Sequence, residues 1–210
     1  MLYNCLLSTV IIHSSNIVIN YLGFEAKWFQ LHSFINYIVT AFSIKDTVDC
    51  LTDPNQSMLP ASNSIALSLV IMLHIYHILA FKLRKEDWFH HISGFIVVPV
   101  FFLHNSKATS LCCFFISGFP GGIDYSMLVL VKNNLVSKER QKQLCAYLNT
   151  YIRQPGGIIG SYLLVCDALK NNTNKICIIL FSATIFINVS FYSLQAISNY
   201  ANYKNIIHKI

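Results

Sequence analysis

The stretch "ICIILFSATIFINVSFYSLQAISNY", Ile176 to Tyr200, contains no Asp, Glu, Lys or Arg. An α-helix rises about 1.5 Å per residue, so a run of this length crosses the ~30 Å hydrocarbon core of a bilayer. Outward from it, the rest of the chain repeats the theme. The 210 residues are 54% hydrophobic and only 11% charged, where a soluble domain carries roughly 25% charge. A water-facing surface of this size needs that missing charge. Lipid-exposed backbone must also satisfy its own hydrogen bonds, which leaves helices as the way to span. The sequence therefore reads as one all-α, membrane-embedded domain over 1–210, a polytopic transmembrane helical bundle of about six to seven spans.

The expected spans are 2–22, 31–51, 63–83, 88–104, 108–131, 144–169 and 176–200. His13, Ser14, Ser15 and Asn16 interrupt the first, and Arg153 and Pro155 cut the sixth. The N-terminus lacks a basic region and a small-residue cleavage site, so it reads as a first helix and not as a removed signal. Alternating the connections puts Lys27, Lys82, Arg84, Lys85, Lys132, Lys138, Arg140, Lys142, Lys204 and Lys209 on one side. Lys107, Lys170 and Lys175 fall on the other. The positive-inside rule then places the C-terminus in the cytosol. The loop sequons Asn55-Gln56-Ser57 and Asn171-Asn172-Thr173 both lie on the opposite side.

The net charge of +6 is spread over loops, with no basic block interleaved with aromatics, so nucleic acid is not an expected partner. The seven cysteines include no CxxC pair and read as small hydrophobes buried in the membrane.

Ionisable groups at membrane depth cost several kcal/mol in most estimates, so each asks for a reason. Asn36, Thr40, Ser43 and Thr47 recur at helical spacing and form an inward polar stripe. Asp46 and Asp49 follow near the end of that span, with Lys45 placed to pair with Asp49. They read either as a structural ion pair or as the wall of a polar cavity for a lipid headgroup or other substrate. His74 and His77 share one face of the third span. "RKEDWFHHISGF", Arg84 to Phe95, opens the fourth with His90 and His91, and Asp87 stands three residues before His90, placed to orient it. The histidines fit general acid–base or nucleophilic work, or an interfacial belt with Trp88. Too few of them cluster for a metal centre, and no cofactor is expected.

In "SGFPGGIDY", Ser117 to Tyr125, Pro120 removes a backbone donor, so a break or kink is expected, with Asp124 at the start of a second half-helix. Pro155-Gly156-Gly157 repeats the idea, and Gly156 with Gly160 makes a GxxxG packing motif. Arg153, just before that break, is placed to pair with Asp124 or to clamp an anionic headgroup.

The order "YIVTAFSIKDTVDCL", "YHILAFKL", "EDWFHHI" and the closing Leu194-Gln195 resembles the TLC domain family over about residues 30–203. That family includes the translocating-chain-associating membrane proteins and the ceramide synthases. The resemblance implies an integral protein of the endoplasmic reticulum concerned with lipids. It implies catalysis by His90 and His91 if the chain is an acyltransferase, with acyl-CoA as co-substrate. The chain departs from the ceramide synthases downstream, where "GFPGGIDYSML" replaces their HD-x-x-SD pattern and only Asp124 stands as a counterpart.

Three functions are open from the sequence. The first is binding of membrane lipids in homeostasis or trafficking, with Asp46, Asp49, His74, His77, Asp124 and Arg153 lining the bundle interior. The second is lipid N-acyl transfer by His90 and His91 with Asp87. The third is transport or cargo reception through broken helices. Homo-oligomers are compatible with each. The orientation is checked by glycosylation mapping: Asn55 and Asn171 are expected to accept glycan, while a sequon engineered into the 133–138 loop stays unmodified. The reverse pattern inverts the topology.

Overall fold

The computed structural model describes residues 2–23, 25–81, 105–171 and 175–207. Six long helices carry the architecture among these residues: α1 (Leu2–Tyr21), α2 (Lys27–Thr52), α3 (Ile65–Ala80), α4 (Lys107–Lys132), α5 (residues 138–171) and α6 (Lys175–Ile207). A short 3-10 turn, Pro54–Met58, separates α2 from α3. No strand forms among the described residues; a single bridge joins Pro60 to Ser106. The chain is all-α, as its composition requires. The expected fourth span, 88–104, lies outside the described residues.

Three helices are long and apolar enough to cross a membrane by length and composition: Leu2–Tyr21, Lys107–Lys132 and Lys175–Ile206. α3 is a shorter apolar helix. Their outer faces expose large apolar side chains, with Val10 at 61%, Ile187 at 62% and Leu194 at 67%. In water such a surface would associate, because exposed apolar patches of that extent are sticky. The polar residues that interrupt the first run do not break its helix. Ser15 Oγ donates to Ile11 O at 2.7 Å, and Asn16 Nδ2 donates to the Tyr76 hydroxyl of α3 at 2.8 Å.

α2 lies at the centre, against α1, α3 and α4, while α5 packs between α4 and α6. One apolar core joins α1, α2 and α3 through Ile12, Leu31, Ile35, Val39, Leu69 and Leu73. A second joins α4, α5 and α6 through Leu111, Leu164, Ile178, Phe181 and Ile185. α4 is the wall between them: Cys113 belongs to the first core, and Leu111 and Cys112 to the second. Across the α5–α6 seam, Ser161 Oγ donates to Ser182 O at 3.0 Å and Ser182 Oγ donates to Ser161 O at 2.6 Å. Small hydroxyl residues bring helices close and join them where no hydrophobic driving force separates lipid from protein.

Neither proline breaks its helix, which corrects the expectation of discontinuous spans. α4 consists of an α segment Lys107–Cys113, a π segment Phe114–Gly118 and an α segment Phe119–Lys132. α5 is built the same way, with Lys138–Leu148, the π segment Asn149–Arg153 and Gln154–Asn171. In each, the residue before proline bonds back five positions: Phe119 N–H to Phe114 O, and Gln154 N–H to Asn149 O. A π turn is wider than an α turn, so the pyrrolidine ring does not strike the carbonyl four residues back. The lost donor is absorbed locally and the helix continues. Asp124 is accordingly the sixth residue of an α segment within an unbroken helix, not the start of a half-helix.

Glycines set the spacing of α5. An added Cβ at Gly156 would stand 2.1 Å from Phe115 Cγ, and one at Gly160 would stand 2.5 Å from Cys112 Sγ. The expected GxxxG motif is thus the face that α5 turns to α4. Gly156→Ala and Gly160→Ala are each expected to cost about 1–3 kcal/mol by overpacking. Thermal melting in detergent checks this; wild-type melting of both variants would deny the contact.

Candidate functional site

The polar stripe of α2 faces inward as expected: Asn36, Ser43 and Thr47 are buried and Thr40 is half-buried. Most of its hydroxyls turn back on their own helix, Thr40 Oγ1 to Asn36 O at 2.8 Å and Thr47 Oγ1 to Ser43 O at 2.9 Å. Back-bonding of this kind satisfies Ser and Thr in an apolar setting without a partner helix.

At the C-terminal end of α2 the carboxylates hold loops. Asp46 is fully buried and accepts from the Ser62 amide at 3.0 Å and from the Ser62 hydroxyl. Asp49 pairs with exposed Lys45 at 2.7 Å, the pairing expected from their spacing, and with buried Lys107 of α4 at 2.7 Å. Lys107 Nζ also donates to Gln56 Oε1 at 3.1 Å. Backbone bonds from Lys107 N–H to Leu59 O and from Ala61 N–H to Asn105 O complete this knot. It ties the α2–α3 connection to the start of α4.

The opposite end is aromatic. Trp28 packs on His77 with ring centroids 3.6 Å apart and on His32 at 3.7 Å, and Phe81 adds a third contact at 4.6 Å. His32 stacks on Tyr125 of α4 at 4.5 Å. His74 Nδ1 is 2.7 Å from Val70 O of its own helix. His90, His91 and Asp87 lie outside the described residues.

Between these ends runs a polar ladder. Gln141, Cys145, Asn149 and Arg153 follow one another at spacings of four on α5, which aligns them on one helical face. Gln141 Nε2 donates to Asp124 Oδ1 at 3.3 Å, and Cys145 Sγ donates to Asp124 Oδ2 at 3.6 Å. Asn149 Nδ2 reaches Cys145 O at 2.8 Å and Cys145 Sγ at 3.4 Å. Arg153 Nη1 donates to Asn149 Oδ1 at 2.7 Å. Arg153 and Asp124 thus stand at opposite ends of the ladder and form no ion pair. Ser117, in the π segment of α4, donates to Asn36 Oδ1 at 3.3 Å, so α2 enters the same layer. Ser33 Oγ, donating to Gly122 O at 3.1 Å, fastens α2 to α4 one turn nearer the aromatic end.

The structure therefore gathers Asp124 and Arg153 into one polar layer, brings His77 to the aromatic end beside it, and leaves Asp46 and Asp49 in the loop knot. The sequence reading missed the rungs Gln141, Cys145 and Asn149, and missed His32 with Trp28. The strict spacing of four in both groups is the signal that could have found them. Among the described residues no group of three or more His, Cys, Asp or Glu side chains is arranged to hold a metal ion. All seven cysteines are free.

Comparison with known proteins returns no matching family model, curated protein or solved structure.

The loop knot has an inner and an outer cation, and they should not weigh equally. Lys107→Met removes the buried partner of Asp49 and is expected to lower the melting temperature clearly. Lys45→Met, at an exposed pair, should leave it nearly unchanged. Equal melting of the two variants would show that Lys107 does not anchor the connection.

Proposed function

We propose that the chain is a multi-pass membrane protein of TLC type, with six to seven spans, that binds lipids inside its helical bundle. Its role on this reading is lipid homeostasis or trafficking in the endoplasmic reticulum, with the C-terminus in the cytosol. The observation that carries the reading is the polar ladder from Asp124 to Arg153. It runs along the inner face of α5, in a molecule whose α1 and α6 are apolar outside. Polar side chains inside a bundle that faces lipid are costly and mark the places where polar ligand groups are handled. A lipid is the ligand whose two halves match such a bundle, a polar head for the ladder and chains for the apolar surroundings. Support for the TLC type comes from the order of motifs in the second, third and fourth apolar runs.

The test is lipid co-purification. The full chain, extracted in mild detergent and exhaustively washed, is expected to retain lipid detectable by mass spectrometry of the organic extract. Asn149→Leu, which removes the middle rung, should lower the amount retained. Protein that emerges free of lipid sinks the reading.

A further inference from the structure

Cations are handled differently at the two ends of the bundle. At the loop knot, Lys45 and Lys107 share Asp49. The other end gathers Lys27, Lys132, Lys138, Arg140, Lys142 and Lys204. α2 and α4 run antiparallel, since Asp49 meets Lys107 at one end and His32 meets Tyr125 towards the other. The start of α2, with Lys27, therefore lies beside the end of α4, with Lys132. The turn 133–137 leads directly into Lys138, Arg140 and Lys142. Lys142 Nζ stands 5.7 Å over the ring of Tyr203, which precedes Lys204 of α6. Among the described residues no carboxylate lies within ion-pair distance of any of the six. The acids beside them in sequence are Glu25 and Glu139. All six except Lys142 are exposed.

The turn itself is built to present one apolar side chain. Asn134 takes the left-handed conformation, φ 57, that closes a helix C-terminus. Leu135 N–H then bonds back to Leu130 O at 2.9 Å. On the far side, Ser137 Oγ accepts from the Arg140 amide at 3.2 Å and caps α5. Between these two stops Leu135 is left 72% exposed, with Lys132 three residues before it and Lys138 three after. The 26 residues of α4 rise about 39 Å, close to the ~40–45 Å of a bilayer with its headgroups. With Lys107 at one headgroup layer, Lys132 and the turn reach the other. At that depth the surroundings of the cations are headgroups and those of Leu135 the edge of the acyl chains. Basic side chains around an apolar one suit an anionic interface, where each cation adds to the attraction.

We infer that the α4–α5 turn, with Lys132, Lys138 and Arg140 flanking Leu135 and Lys27 beside them, is a docking surface for the anionic lipid headgroups of the adjacent leaflet. The surface lies outside the polar ladder and needs only that the chain spans a bilayer.

The full chain is reconstituted in phosphatidylcholine nanodiscs doped with phosphatidylserine. Lipids that stay on the protein after brief transfer to mild detergent are counted by native mass spectrometry. Wild type is expected to keep phosphatidylserine over phosphatidylcholine by about fivefold or more, and to lose most of that preference at high salt. Lys138→Gln with Arg140→Gln should cut it to about twofold or less, while Lys138→Arg with Arg140→Lys should hold it. Lys170→Gln with Lys175→Gln removes the same charge from the opposite end and should leave it intact. An unchanged preference in Lys138→Gln with Arg140→Gln overturns the surface. Equal losses in the two Gln pairs also overturn it, because net charge alone then sets the preference. Asn149→Leu should leave the preference intact; its loss there assigns the anionic lipid to the ladder and overturns the surface. Leu135→Trp, read as the difference from wild type with its Trp28 and Trp88, should be quenched by brominated phosphatidylcholine. Absence of quenching shows that the turn stands clear of the lipid and overturns its docking. A last arm titrates a polyglutamate peptide onto undoped nanodiscs. Binding that Lys138→Gln with Arg140→Gln abolishes, without preference for phosphatidylserine, points to a soluble acidic partner and overturns the lipid assignment.

Discussion

A proline in a helix surrounded by apolar groups removes a hydrogen-bond donor where no water can replace it. The inner architecture follows from how that loss is handled twice. At Pro120 and at Pro155 the backbone shifts to bonds that reach back five residues, and then resumes as α-helix. The shift keeps both helices continuous and puts a widened turn in each. Ser117 belongs to one of these turns, Asn149 and Arg153 to the other. The glycines that follow each proline then allow neighbours to close in: Asn36 and Tyr37 beside Gly121 and Gly122, Phe115 and Val189 beside Gly156 and Gly157. Backbone accommodation and polar clustering are therefore the same event seen at two scales. Wide turns of this type recur at functional sites because they re-aim side chains that a regular helix would space evenly.

Charge is distributed with the same economy. Lys107, which starts one of the most apolar helices, is buried but meets Asp49 and Gln56. Asp46 is buried but capped by Ser62. Arg153 differs from both, since among the described residues its side-chain hydrogen bond is to the neutral Asn149. The carboxylate on its ladder is reached through side chains that relay hydrogen bonds, without a direct Coulomb contact. A buried cation is usually neutralised or paired; Arg153 is half-buried, unlike the buried Lys107 and Asp46 of the loop knot.

Much of the fold was legible in the sequence. Helices occupy the expected stretches from α1 to α6, because continuous apolar runs and the shortage of charge leave few alternatives. The inward stripe of α2 and the Gly156–Gly160 face follow from helical spacing and side-chain size. The ends of α5 were less visible. Its first turns, Lys138 to Lys142, precede the expected span 144–169, yet Gln141 from that turn contacts Asp124. The π segments were invisible for a geometric reason. An extra residue in a turn shifts the helical phase by about 100°, so a wheel drawn through Pro155 assigns later side chains to the wrong face. The direct pairing of Arg153 with Asp124 is replaced by a relay through Asn149 and Cys145. The aromatic end was hidden because His32 lies in a run that reads simply as apolar.

The length of α6 gives the bundle reach. Its 33 residues extend about 50 Å, well beyond the ~30 Å of hydrocarbon that a span needs to traverse. Its last turns carry Ser198, Asn199, Asn202 and Lys204, and Lys142 of α5 lies over the Tyr203 ring at 5.7 Å. If α6 spans the bilayer without a steep tilt, those turns leave the lipid as a braced post. The height of that post above the headgroups is then a fixed dimension of the molecule, set by helix geometry.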